Sequence, residues 1–421
     1  MTDTQRDAAS AGAGSIYWRR NLAVSLIGSF TTIVAMTLLL PFLPLYVEEL
    51  GVTDHAAIVQ WSGIAYGATF LAAALVAPLW GRLGDIYGRK LMLVRASLGM
   101  TVAISLMGMA GNVWQLSALR LFVGLAGGYS SGSMVLVATQ TPKDRSAWAL
   151  GVLSSGIMAG NLVGPLIGGA LPRIIGIRAT FLAAGALIFL AFLATALLIK
   201  EEKSPARKQA AKASGGWKSV ADKRPVIAML ATGMLLMFAN MSIEPIITVY
   251  VAQIVPAADE VTMISGLVMS AAALGSILSA SRLGRLADRI GHWPVIAGAL
   301  AVAGLLLIPQ ALVTSSWQLI MLRLLMGAAL GGLLPCIAAV IRHSVPDSAA
   351  GSILGLSISS QYVGQVAGPI LGGFVGGHIG MRSVFLGTSL LLLAGAAYAW
   401  IVRPREAKTS NMQAPADQFD A

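Results

Sequence analysis

Long apolar runs alternate with short polar breaks down almost the whole chain. Twelve runs of roughly 20 residues or more stand at about 21–46, 58–80, 91–110, 113–138, 147–170, 178–199, 225–254, 261–282, 295–313, 316–341, 351–374 and 381–402. A helix of that length crosses the ~30 Å of hydrocarbon in a bilayer. Helices are required there, because lipid offers no partner for a free backbone N–H or C=O. The one long polar stretch between runs is 200–224, where eight Lys or Arg stand against three acids. It reads as a solvated linker beside anionic headgroups. The pattern therefore predicts an all-α membrane protein of twelve transmembrane helices. Residues 1–199 make one six-helix bundle, 200–224 a cytoplasmic linker, 225–402 a second bundle and 403–421 a cytoplasmic tail.

The two bundles repeat each other. Gly81-Arg82-Leu83-Gly84-Asp85 returns as Gly284-Arg285-Leu286-Ala287-Asp288, 203 residues later. Trp114-Gln115-Leu116 with Arg120 and Gly124 returns as Trp317-Gln318-Leu319 with Arg323 and Gly327. Gly160, Gly164-Pro165 and Gly168-Gly169 return as Gly364, Gly368-Pro369 and Gly372-Gly373, while Pro41 and Tyr46 match Pro245 and Tyr250. A near-constant offset across so many motifs marks two pseudosymmetric halves. Parallel repeats of this kind place a substrate site between the halves, near the midplane.

Composition agrees. The chain is 56% hydrophobic and only 11% charged, against about 25% charged in soluble domains. The net charge of +11 suggests nucleic acid until its placement is read. With the N-terminus inside, 24 of the 29 Lys and Arg fall on the cytoplasmic side, and three (Arg173, Arg178, Arg382) on the other. Arg120 and Arg323 lie within spans. This positive-inside bias sets both termini in the cytoplasm of a cell (inner) membrane and turns the charge toward lipid, with no nucleic-acid partner. Residues 1–16 are polar and give no cleavable signal. The lone Cys336 excludes an internal disulfide and reads as a small core residue.

The repeated motifs carry a resemblance. Gly81, Leu83, Asp85, Gly88, Arg89, Lys90 and Leu93 are similar to the loop 2–3 signature of the major facilitator superfamily. Arg120 with Gly124 resembles its fourth-helix arginine motif. Gly160, Gly164, Pro165, Gly168 and Gly169 resemble the fifth-helix motif of its twelve-span drug:proton antiporters. Pro41-Phe42-Leu43-Pro44-Leu45-Tyr46 and Leu150-Gly151 are similar to the MdtG-like multidrug exporters among them. The resemblance covers about 18–402. It implies the major facilitator fold and proton-coupled export of amphipathic, in part cationic, small molecules by alternating access. A proton-coupled sugar or metabolite carrier is the alternative, disfavoured by the few buried Asn, Gln and acidic groups. The expected partners are the bilayer, protons and small amphipathic substrates, bound by a monomer.

Of 18 acids, only Glu244 lies mid-span, followed by Pro245. An ionised carboxylate in hydrocarbon costs several kcal/mol, so it faces a wet cavity, pairs, or holds a proton. Glu244 reads as the proton carrier and counter-charge for cationic cargo. A structural carboxylate, tied to Arg323 or to backbone freed by Pro245, is the other reading. Arg120 and Arg323 stay charged. Arg323 lies at about the depth of Glu244, whereas no acid in the first half answers Arg120, and Leu40 stands where the repeat aligns with Glu244. Arg120, Arg323 and Glu244 form the expected proton-coupling set.

For gating, Gly81 and Gly88 shape the turn. The resemblance implies that Asp85 packs on the start of helix eleven near Gly351 when the cytoplasmic side is closed, where a helix N-terminus favours a carboxylate. Arg89 is expected to pair with an acid such as Asp144. Asp288 is the weaker counterpart. Gly156, Gly160, Gly164 and Gly168 share one helix face and are expected to pack on the other half, with Pro165 kinking the helix. Candidates for an adaptable cargo-facing wall are Met36, Tyr129, Asn161, Met237, Phe238, Asn240, Gln361 and Tyr362.

Nothing points to an enzyme, a cofactor or a metal. Gly128-Tyr129-Ser130-Ser131-Gly132 mimics a nucleophile elbow but lies mid-span with no strand before it. His55, His292, His343 and His378 fall in separate loops or span ends. No Gly-Lys-Ser phosphate loop is present.

Overall fold

A computed structural model describes residues 16–201, 217–220 and 222–403 of the chain. Most of the linker and nearly all of the tail lie outside the described residues. Twelve long helices run antiparallel: α1 (Trp18–Glu49), α2 (His55–Tyr87), α3 (Arg89–Met107), α4 (Val113–Gln140), α5 (Ser146–Ile175), α6 (Ile177–Leu198), α7 (Arg224–Ile254), α8 (Ala258–Ile290), α9 (His292–Gln310), α10 (Ser316–Ser344), α11 (Asp347–His378) and α12 (Met381–Val402). Eleven meet the length and apolarity needed to cross a membrane. The exception, α11, is long enough at 32 residues but rich in Gly and Ser, because it is wedged between α7 and α2. Small residues there let backbones touch.

The sequence repeat is a repeat of contacts. Gln115 accepts from the Gly111 N–H at 2.8 Å, and Gln318 accepts from the Thr314 N–H at 3.0 Å, each closing the turn before its helix. The preceding Trp114 and Trp317 are 70% and 64% exposed, as suits interfacial anchors. The Tyr46 hydroxyl donates to the Met107 carbonyl, and Tyr250 donates to that of Gln310 at 2.8 Å. Phe181 and Phe385 lie against these tyrosines at 5.1 and 5.0 Å between ring centroids.

Three helices are interrupted. A 3-10 turn, Leu40–Phe42, breaks α1 around Pro41. The α10 helix breaks at Gly331–Gly332, and α4 breaks at Gly127–Gly128, where Gly128 takes a φ of +102° open to glycine. The α4 break leaves carbonyls that lipid cannot satisfy. Arg95 caps them, donating to Leu125 at 3.2 Å and Gly127 at 2.9 Å, and it stacks on Trp80, whose indole also donates to Leu125.

The glycine rows of α5 and α11 face inward to their own halves. A Cβ on Gly160 would strike Ile33, one on Gly164 would strike Thr37, and one on Gly168 would strike the Leu38 carbonyl, all on α1. Gly364, Gly368 and Gly372 likewise abut Met234, Phe238 and Ser242 on α7. The expectation that Gly160, Gly164 and Gly168 meet the other half is thus corrected. Spacing put them on one face, but the α1 backbone fills it. Contact between halves uses the neighbouring positions instead: Gly169 meets Thr262 and Met263, Gly266 meets the Pro165 carbonyl, and Gly63 and Gly373 meet each other with Pro369. Pro165 therefore serves the interface through its carbonyl, inside a continuous helix.

Candidate functional site

These contacts close one end of the cleft between the halves. At that end Thr248 donates to Pro41 at 3.0 Å, Ser270 donates to Leu162 at 2.7 Å, and Arg173 pairs with Asp259 at 2.9 Å. The end that carries the linker is apart. A Cβ added at Gly81, Gly284, Gly351 or Gly355 would meet nothing within 4 Å. These four glycines thus lack the close packing found at the other end, where the contacts between the halves cluster.

Among the described residues, those expected to gate form no ion pair with α11. Asp85 is 70% exposed and pairs with Arg89 rather than with α11. Asp144 pairs with Arg145 at 3.7 Å, not with Arg89. Arg89 is held by a residue that sequence reasoning missed. The Glu201 carboxylate accepts the backbone N–H groups of Arg89 and Lys90, both at 2.8 Å, and so caps α3 beyond Gly88. Asn21 anchors the same strip of chain, bonding Lys200 in both directions and Gln140 at 2.9 Å. The second-half copy is looser: Asp288 lies 3.9 Å from His292. Two of the four histidines meet, His292 and His343, at 6.1 Å between rings.

At mid-depth an acid of one half meets a phenol of the other. Glu244 on α7 is half-buried. Its carboxyl meets the hydroxyl of Tyr66 on α2, in the other half, and lies within electrostatic reach of Arg323 on α10. No direct Arg323–Glu244 ion pair forms. Arg323 instead points Nη1 at the Met326 sulfur, 3.9 Å away, which Gln310 also approaches at 3.6 Å. One Glu244 oxygen, Oε2, and Arg323 Nε are both buried without a partner. A buried polar atom left so costs about 1–3 kcal/mol, more when charged.

Arg120 finds a different solution. It is 2% exposed. Its guanidinium lies 5.4 Å from the centroid of the Tyr66 ring, and Nε donates to the Ala65 carbonyl at 3.4 Å. Thr69 donates to the Arg120 carbonyl at 2.9 Å, and Phe70 stacks edge-on against Tyr66 at 5.2 Å. So α2 and α4 together fix Tyr66. The sequence signal for Tyr66 was a lone phenol inside an apolar span, without a local partner.

Of the cargo-wall residues, Met36, Met237, Phe238, Asn240, Gln361 and Tyr362 are half-buried, and Asn161 is exposed with its amide on the Ile157 carbonyl at 3.2 Å. Gln361 lies over Gly233 of α7. Tyr129 is a correction: it is 2% exposed and buried inside the first bundle, bonded to Thr195 at 2.7 Å. The α4 break turns it away from the cleft.

Twelve helices in two related sixes, joined at one end and charged at mid-depth, define a membrane carrier. Comparison with known proteins gives the family. The model of the Major Facilitator Superfamily matches residues 25–313 and 261–420. The "Multidrug resistance protein MdtG" of Enterobacter lignolyticus is 41% identical over 396 residues, 94% of this chain and 95% of that protein. That of Serratia proteamaculans is 42% identical over 386 residues, 91% of this chain and 94% of its own length. Two solved structures share the fold at low identity. A bacterial homologue of the human lysosomal transporter Spinster, inward-facing and occupied, gives a TM-score of 0.76 at 16% identity, covering 93% of this chain and 97% of that one. A D-xylose-proton symporter gives 0.74 at 13%, covering 92% and 98%. The chain belongs to the Major Facilitator Superfamily.

Proposed function

We propose that this chain is a multidrug exporter of a bacterial inner membrane, working as a monomer that trades protons for amphipathic, in part cationic, molecules. Relatives carrying the multidrug-resistance name, matched at 41–42% identity over nearly their whole length, support the cargo class. The positive-inside charge pattern supports placing the linker end and both termini in the cytoplasm, so the open cleft takes up cargo from inside.

The observation that supports the coupling is Glu244, the mid-span acid, set between Tyr66 of the other half and Arg323 with one carboxyl oxygen unpartnered. An ionised Glu244 binds a cation entering from the cytoplasm. After the cleft opens to the other side, a proton taken onto the carboxyl cancels its charge and frees the cargo. Returning inward, the proton leaves and the cycle resets. Tyr66 reads the charge of Glu244 from the opposite half, since its hydroxyl donates best to an ionised acceptor. Each proton crossing ~100 mV releases about 2.3 kcal/mol, enough for roughly fifty-fold accumulation of a neutral cargo at ~1.4 kcal/mol per decade; a monovalent cation traded one for one carries the same charge out and draws on the pH gradient alone. The Asp85–Arg89 turn and Gly351 supply the inner gate, which biases the balance of states without touching cargo.

Dye efflux by inverted vesicles tests this, with and without a protonophore. Wild-type transport should collapse on adding the protonophore, and Glu244→Gln should show no proton-driven component. A Glu244→Gln protein that pumps cationic dye with unchanged pH dependence overturns the scheme.

A further inference from the structure

We infer that the linker end of α8 carries a binding site for the phosphate of an anionic phospholipid headgroup, built from Arg282, Arg285 and Arg289. These three side chains, with Leu286, line one cavity of about 260 Å³. All three arginines are exposed. None has an acidic partner among the described residues; the acid on the same turns, Asp288, faces His292.

Their direction follows from the helix. One side of α8 packs on α10, through Gly275 against Leu324 and through Ser276 and Leu283 against Gly331 and Gly332. Another packs on α5, through Ser270 and Gly266. The remaining face carries Leu267, Leu274 and Leu278, all exposed and the last at 59%. Continued by helical spacing, this face holds Arg282, Arg285, Leu286 and Arg289. The stripe thus changes from leucine to arginine at the helix end, where an apolar face leaves hydrocarbon for headgroups. Guanidinium groups bind phosphate oxygens in a planar fork, and basic pockets on the cytoplasmic side take anionic headgroups.

A general need for positive charge does not account for the triad. In the first half the matching positions are Leu79, Arg82 and Ile86, with Leu79 and Ile86 50% and 71% exposed. The repeat therefore gives the same end of α2 one arginine where α8 has three. The inference rests on the linker end being cytoplasmic, where anionic lipid is enriched.

The test is retention of phosphatidylglycerol over phosphatidylcholine by the full chain in nanodiscs, read by native mass spectrometry. Wild type should hold phosphatidylglycerol with a preference of about tenfold. The Arg282→Gln/Arg285→Gln/Arg289→Gln protein should lose it, and Arg82→Gln should keep it. If the triple variant does not fold, Arg282→Leu and Arg289→Ile, which copy the first half, should each lower the preference several-fold. Equal retention by wild type and variants overturns the site. Equal retention of phosphatidylglycerol and phosphatidylcholine by wild type, beside binding of millimolar inorganic phosphate that the triple variant loses, overturns the lipid as its source and assigns the arginines to a soluble anion. The disc has no inside, so orientation is read separately, from fluorescence of a reporter fused after residue 421. A dark reporter beside an intact lipid preference sinks the topology and leaves the binding.

Discussion

Tyr46 and Tyr250 hang from matching carbonyls in the two halves, and Arg120 and Arg323 lie buried at matching turns of α4 and α10. Their surroundings part company there. In the first half Arg120 is settled, over the Tyr66 ring and on a backbone carbonyl. In the second half Arg323 is left with an unpartnered Nε opposite an unpartnered oxygen of Glu244. The frame occurs twice, while a mid-span acid beside the buried arginine occurs only in the second half among the described residues. The first half answers with a phenol, Tyr66, rather than with a second acid.

Breaking this asymmetry should produce the largest effect. Glu244→Gln should remove proton-driven efflux, a loss of tenfold or more and thus at least about 1.4 kcal/mol, whereas Leu40→Gln at the aligned position should leave coupling in place. Vesicle efflux at two pH values decides. Next come the glycine rows. Gly168→Leu and Gly372→Leu each drive a side chain into a carbonyl of the same half and should each cost about 1–3 kcal/mol or more, lowering the melting temperature to a similar degree. Unequal losses would break the claimed symmetry of the frame.

Tyr66→Phe should keep the ring over Arg120 and the fold, yet cut proton-driven efflux several-fold, with melting unchanged within about 1 kcal/mol. A variant with wild-type coupling removes Tyr66 from the scheme. Tyr250→Phe is the matched control, expected to lose about 1 kcal/mol of stability and no coupling. Smallest of all, Arg173→Gln breaks an ion pair whose side chains are 41% and 72% exposed, for a few tenths of a kcal/mol. Its effect should fade with added salt.

Much of this was legible in the chain. Apolar run length gave the helices, the constant offset gave the two halves, and a single mid-span acid singled out Glu244, which lies beside Tyr66 of the other half. Direction was harder. Period placed Gly160, Gly164 and Gly168 on one face but could not say whether α1 or α8 fills it. Tyr129 was misread because the Gly127–Gly128 break rotates the helix after it. Tyr66 and Glu201 stayed hidden, since each acts on a partner more than a hundred residues away.

The closest approaches in the seam at the closed end are main chain: Gly63 on Gly373 and Pro369, Gly169 on Thr262 and Gly266 on Pro165, with Thr248, Ser270 and Arg173 bonding across beside them. A seam held mostly by backbone has few side chains to renegotiate. The walls of the cleft can therefore be rewritten, residue by residue, for new poisons without resetting the machine that turns them out. Selectivity can drift while mechanics stand still.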